Sequence, residues 1–480
     1  MNLQYILTRY RRLTIVLSMA ASGLLAEPLA AETVSERDPK KDGARIEALL
    51  AKEDLPGVTR EISLVEALEL TDSRNLTLAV IRTELKAAEI KIKQAWAAMM
   101  PVAQGHIQYV RADHADTVSM GGLTGGPGGS IEINPANTVT GGISVNLPLV
   151  NANLWKGLEM AKTGAELAAL TVEEQRRTVL FGTAQAYYTA LMSRSLVSLY
   201  KEQIRATVHH VTVAEKKLAA GSGLRIDVLR AGIELEKAEK ALSNAKLTLA
   251  TACDALGTLT GLDTLVLPKS EERLSFSATN ENALTQKAEK SRVDLDLQRK
   301  NLKLAEQQID AAWFKLLPSL SLAWQGTYKF TSPGDMGDTD RSRWNLMLNL
   351  TVPLFNCSDI VRISEGKVAQ RKAALQLESL TQDIGQNVRQ AYREYQTALT
   401  DVESAKRQFV LAEESLKLSE AAFAAGAGTS LEVTDASRTQ IEAGVNVLTS
   451  ELKSQLALLN LLQIIGAEPL KTAGELKTVQ

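Results

Sequence analysis

The chain has 480 residues, a net charge of −2, 45% hydrophobic residues and only 4% aromatics. That balance excludes a basic nucleic-acid-binding surface, so no nucleic-acid partner is expected. Abundant Ala and Leu with few rings predicts long, closely packed helices, and two cysteines 104 residues apart (253 to 357) carry neither metal spacing nor a disulfide framework.

Arg9, Arg11 and Arg12 precede an apolar run from Leu13 to Leu25 and then AEPLAAE. This order predicts a cleaved export signal over 1–31, with an apolar run too short for a comfortable membrane anchor. Residues 32–61 are polar and predict a poorly ordered extension. Next, Leu78, Ile81, Leu85, Ala88, Ile92, Ala95 and Met99 recur at spacings of three and four, a heptad seam ended by Pro101. The period then changes to two. Ala103, Gly105, Ile107 and Tyr109 alternate with polar residues, as do Val139, Ile143, Val145 and Leu147. A long helical stretch follows from Trp155 to Ala220, then the glycine turn GSGLRIDVLRA, then a return seam through Ala231, Leu235, Ala238, Leu242, Ala245, Leu249, Ala252, Leu256 and Leu259.

The same order then recurs. Pro148 maps to Pro353, Gly221 and Gly223 to Gly426 and Gly428, and Gly261 to Gly466, each 205 residues on; before the paired prolines the offset is 217 (101 to 318). A tandem duplication is therefore expected, with repeats at 62–267 and 268–480, the second including a C-terminal tail. In the second repeat Leu295, Leu302, Ala305, Ile309, Ala312 and Leu316 form the first seam. Leu320, Leu322, Trp324, Tyr328 and Phe330, then Trp344, Leu346, Leu348 and Leu350, alternate with mostly polar residues. The last helix carries two seams, one through Val433 and Ala436 and one through Ile441, Val445 and Leu448, which predicts neighbours on both sides.

Each alternating run has about the length of a tilted membrane strand. Tyr109, Trp324, Tyr328, Phe330 and Trp344 are expected at the membrane interface, while the opposite face is polar, as a water-filled lumen requires. Four strands cannot close a barrel, and an open edge cannot face lipid, so copies must share one. The expected fold is mixed: a shared membrane β-barrel with four strands per chain, and long coiled-coil helices.

The order helix–Pro–hairpin–Pro–long helix–Gly tip–helix, with GSGLRIDVLRA and GAGTSLEVTDA at the tips, resembles the TolC-like outer-membrane efflux proteins over 62–466. The resemblance implies a homotrimer with a twelve-stranded barrel in outer-membrane lipid and an α-helical tunnel through the periplasm. It implies docking to a periplasmic adaptor and an inner-membrane pump, and a belt formed by 262–280 and the tail after Gly466. It also places the acids Asp435, Glu432 and Asp227 at the periplasmic entrance. There they would favour cation entry and pH-sensitive closure, although Thr429–Glu432 also reads as a capping box. Family members with a basic residue after the tip glycines use it in closure; here that place is Ser430, with Arg438 nearest. Gly221, Gly223, Gly426 and Gly428 allow a left-handed reversal and are candidate adaptor contacts.

GGLTGGPGG (121–129) lacks the Lys–Ser/Thr of a phosphate loop, and the acids of PGDMGDTD (333–340) lack EF-hand spacing, so both predict solvated loops. No nucleophile–base pair, resident metal or cofactor signal is visible, so no enzyme is expected. The leading function is a passive exit duct of a tripartite efflux or secretion system. The alternatives are the outer component of type I protein secretion and, from a different class, a soluble periplasmic coiled-coil adaptor or structural protein.

Overall fold

The computed structural model describes residues 58–119, 130–269, 281–331 and 341–470, with 46, 47, 50, 274 and 276. The expected export signal and the two loops at 121–129 and 333–340 lie outside the described residues. The chain divides into a unit 1–53 and a unit 54–480, and every element below belongs to the second.

In chain order these are β1 (Val58–Ile62), α1 (Leu64–Arg74), α2 (Leu76–Ala97), β2 (Val102–Arg111), β3 (Asp116–Ser119), β4 (Ser130–Asn134), β5 (Asn137–Val150), α3 (Ala152–Ala219) and α4 (Arg225–Thr260). Then come β6 (Leu265–Pro268), α5 (Glu281–Ser291), α6 (Val293–Phe314), β7 (Ser319–Lys329), β8 (Ser342–Thr351), α7 (Cys357–Ala425) and α8 (Ser430–Ile465). The expected unstructured extension is shorter than predicted. Val58–Ile62 pairs in parallel with β6, and Ile62 is fully buried there, so packing overrides the polar character of the preceding residues. The β3–β4 ribbon was likewise not anticipated, because its strands are only four and five residues long.

The helices start where side chains satisfy their free N–H groups. Asn75 Oδ1 accepts from Leu78 N at 3.2 Å, and Asn151 and Asn356 cap the two long helices identically, each accepting at 3.1 Å from the amide two residues on. Helices α3 and α7, 68 and 69 residues, each reach about 100 Å. The predicted seams are the packed ones: Leu78, Ile81, Leu295, Ala305 and Ala312 are buried, as is the α4 row from Ala231 to Leu249. Near its end that row moves onto Cys253, which is fully buried, rather than Ala252. Burial pushes the Cys253 thiol up to about 11, so it stays protonated and inert.

The helices form a single-layer wall. On the strand side α2 lies against α3, α3 against α6 and α6 against α7; on the other side α4 lies on α3, and α8 packs on both α3 and α7. Polar rungs join α3 to α6: Lys156 to Asp310 at 2.9 Å, and Gln307 donating to Glu159 at 2.9 Å. Between the two halves sits the main core, where α1, α5, β1 and β6 pack on the middles of α3 and α7 and the end of α8. The fully buried Tyr187 donates to the Lys269 carbonyl at 3.2 Å, tying α3 to the segment after β6. Of the expected belt, only 262–269, 274, 276 and the tail to 470 are described; α1, α5 and β1 pack in the same core as these segments.

Candidate functional site: the sheet and the helical tips

Strands β2, β5, β7 and β8 form one antiparallel sheet in the order β2-β5-β7-β8. Its register sorts side chains by face, because directly opposed residues share a face and neighbours along a strand do not. Val145 opposes both Ala103 and Trp324, and Trp324 opposes Leu346. That row belongs to a face built from Ile107, Tyr109, Val139, Ile143, Leu147, Leu320, Leu322, Tyr328, Trp344, Leu348 and Leu350. The opposite face carries Gln104, His106, Gln108, Thr138, Thr140, Ser144, Asn146, Ser321, Gln325, Thr327, Lys329, Arg343, Asn345 and Asn349, with few apolar members such as Met347. Four separately read alternations therefore coincide on one sheet.

The candidate interface rings all lie on the apolar face. Tyr109, Tyr328, Phe330 and Trp344 gather at the end remote from the helices and are exposed, and Tyr328 and Phe330 meet edge-to-face at 5.0 Å. Trp324 departs from the expectation: it sits mid-strand between Val145 and Leu346, not at a strand end. Its ring leans over Gly326, where an added Cβ would lie 2.8 Å from Cη2, so it covers a gap in the apolar surface.

At the opposite end of the helices, both tips turn by one hydrogen-bond pattern. Ser222 and Gly223 N–H donate to the Lys217 carbonyl at 3.0 and 2.9 Å; Ala427 and Gly428 N–H donate to the Ala422 carbonyl at 2.9 and 3.0 Å. The four glycines do not share one role. Gly221 (φ 72°) and Gly426 (φ 82°) adopt the left-handed conformation. Gly223 and Gly428 have ordinary φ and are small for another reason: a Cβ at Gly428 would crowd Ala422 and the Glu432 carboxylate, both at 3.1 Å.

The three candidate entrance acids lie in the first two turns of α4 and α8. Glu432 completes the capping box: its Oε2 accepts from Thr429 N at 2.9 Å, and Thr429 Oγ1 accepts from Glu432 N at 3.3 Å. Asp227 holds the matching place in α4, where the N-cap is Leu224 and supplies no side-chain bond. Asp435 is exposed and faces Arg438 at 3.7 Å, a loose solvent-screened pair. No described hydrogen bond or ion pair joins Asp227 to either α8 acid.

The tips also contain a clasp that sequence reasoning missed. Lys217 of α3 lies over the Phe423 ring at 4.2 Å and donates to the Phe423 carbonyl at the end of α7. His210 of α3 packs against Phe423 with its ring tilted, centroids 5.2 Å apart, and its Nε2 lies 3.3 Å from Ser430 Oγ at the start of α8. Burial holds His210 below its ordinary pKa; the Asp227 charge opposes this and His209 adds to it. These partners are some two hundred residues apart, so no local pattern could pair them.

A family model described as outer membrane efflux protein matches residues 67–262 and 284–467. The chain belongs to the outer membrane efflux protein family. Among its relatives in this family, outer membrane protein TolC of Salmonella enteritidis is 23% identical over 345 residues, covering 69% of this chain and 70% of the relative. Cation efflux system protein CusC of Escherichia coli strain K12 is 21% identical over 397 residues, covering 80% and 86%. Solved structures of efflux-family proteins share the fold. A CusC structure superposes with a TM-score of 0.70 at 17% identity, covering 87% of this chain and 97% of that one. The open state of the Neisseria gonorrhoeae MtrE outer membrane channel gives 0.64 at 18% identity, covering 84% and 89%. Like other outer membrane efflux proteins, the chain resides in the outer membrane; the family is one of channels and not of enzymes.

Proposed function

We propose that three copies of this chain form a passive exit duct of a tripartite efflux system. Each copy contributes four strands to a closed twelve-stranded barrel in the outer membrane, and the helices continue as a tunnel through the periplasm. An inner-membrane pump and a periplasmic adaptor supply energy and cargo; the duct supplies a polar path. The observation that carries this reading is the sheet, with one apolar face, one polar face and, among the described residues, two unpaired edges, β2 and β8. An open edge is untenable in lipid, and pairing β8 of one copy with β2 of the next removes every edge.

The helical wall supports the same closure. Its outer helices keep apolar rows exposed: Val361, Val368 and Leu375 on α7, spaced by seven, and Ile226, Leu229 and Ile233 on α4. Duplication of 62–267 into 268–480 is supported by matched helix lengths of 11, 22 and 36 residues in each half. The tips around Gly221, Gly223, Gly426 and Gly428 are the proposed adaptor contact, and Asp227, Glu432 and Asp435 the proposed entrance. Asp435 is the best gate residue of the three, since Glu432 is committed to its cap.

Native mass of the mature protein, extracted from outer membranes in mild detergent, tests the reading. A detergent-dependent trimer is expected. A monomer released without detergent would overturn it in favour of a periplasmic coiled-coil protein.

A further inference from the structure

The polar face of the sheet is not uniform along its length. Toward the helices it carries neutral amides and hydroxyls such as Gln104, Asn146, Ser321 and Asn349. Toward the other end its described residues gain charges of one sign, while the acids of 333–340 lie outside the described residues. Lys329 opposes Thr140, Arg343 opposes Thr327, and Arg341 accepts from Lys329 N through its carbonyl at 2.8 Å. All three side chains are exposed, and no carboxylate lies on this face of any of the four strands.

The β3–β4 ribbon borders this end. A recess between ribbon and sheet is lined by Asp116 and Asn134 on one side and by Thr138, Lys329, Arg341 and Arg343 on the other. The described acids nearby, Asp113, Asp116 and Glu132, lie on the ribbon side and none is ion-paired to these cations. Asp116 Oδ2 accepts from Asn134 Nδ2 at 3.2 Å, and Asp113 Oδ1 lies 2.8 Å from His114 Nδ1. Among the described residues the three cations have no ion pair.

We propose that Lys329, Arg341 and Arg343 form a cationic rim at the outer end of the duct, which sets charge selectivity at the exit and binds polyvalent anions. The proposal rests on the trimeric barrel reading, which repeats the three cations around one lumen. Like charges on a narrow lumen with low-dielectric walls reinforce one another because field lines are focused into the water-filled path, although charges more than roughly 8 Å apart are largely screened at physiological salt. The duct would then carry opposite signs at its two ends: acids at the periplasmic tips and bases at the exit.

The test uses the full-length trimer in a neutral phosphatidylcholine bilayer, with inorganic tripolyphosphate as probe. Tripolyphosphate added on the barrel side should reduce the wild-type current, and the same concentration on the tip side should not. In Lys329→Gln/Arg343→Gln the apparent affinity should fall about tenfold, and the K⁺/Cl⁻ permeability ratio from reversal potentials should rise about twofold. Lys329→Arg/Arg343→Lys should retain the block. Wild-type channels indifferent to tripolyphosphate, or blocked equally in the Gln variant, would overturn the proposal while leaving the barrel intact. Failure of the wild-type chain to form trimers or channels would instead remove the barrel reading, and the proposal with it.

Discussion

At the scale of single residues, two carboxylates contrast a structural use with a proposed functional one. Asp72 of α1 accepts from Arg176 Nε and Nη2 of α3 at 2.8 and 3.0 Å, and from Arg82 of α2 at 3.0 Å, so it pins three helices at the belt. The hydrogen bond from Arg176 is the main cause that holds its pKa below the ordinary 3.8, against the opposing effect of burial. Its contribution is therefore full above pH 3.8 and is lost as pH falls through the lower folded value. Asp72→Asn should cost about 2 kcal/mol at pH 6, read as roughly thirtyfold faster hydrogen exchange in α1. The difference from wild type should shrink well below pH 3.8; a difference constant with pH would exclude the charge as its source. Asp435, exposed and only loosely paired, has no comparable structural duty. Asp435→Ala should leave the trimer intact and alter single-channel conductance or its dependence on cations; wild-type values for both would remove it from the gate.

At the scale of elements, the tips show how one turn geometry tolerates different chemistry. Gly221 and Gly426 have open space where a Cβ would go, so substitution there meets only the cost of a left-handed backbone. Gly426→Ala should destabilise its tip by about 1 kcal/mol, seen as roughly fivefold faster exchange of the Ala427 and Gly428 amides. Unchanged exchange would mean that the turn is not under this backbone constraint. The helix seams were legible in the sequence because spacings of three and four place residues on one face regardless of partner. The capping box at Thr429–Glu432 was legible for the same local reason. The clasp of Lys217 and His210 on Phe423 and Ser430 was not, because it depends on which helices are neighbours. Glycine roles were only half legible: sequence marks both glycines of each tip, but φ separates the left-handed one from the one that is merely close-packed.

At the scale of the whole molecule, strands and helices share one lateral order. The sheet runs β2-β5-β7-β8, and the adjoining helices run α2, α3, α6 and α7. Each helix joins the strand beside it in sequence, so the wall continues the sheet, and among the described residues β2 and β8 each lack a second partner strand. Mass of the extracted protein is the measurement suited to this scale, since a cyclic arrangement satisfies both layers by the same rotation.

Sequence alone determined the periodicities: heptads for the helices, alternation for the four strands, glycines at the tips and the order in which these recur. Those are local properties, set by side-chain geometry along one element. Only the tertiary structure decided the register that brings four apolar rows onto one face, the mid-strand place of Trp324, the β1–β6 belt pairing and the three cations on the polar face. These depend on which residues oppose one another across strands and helices, and hydrogen-bond pairing between distant segments sets that opposition.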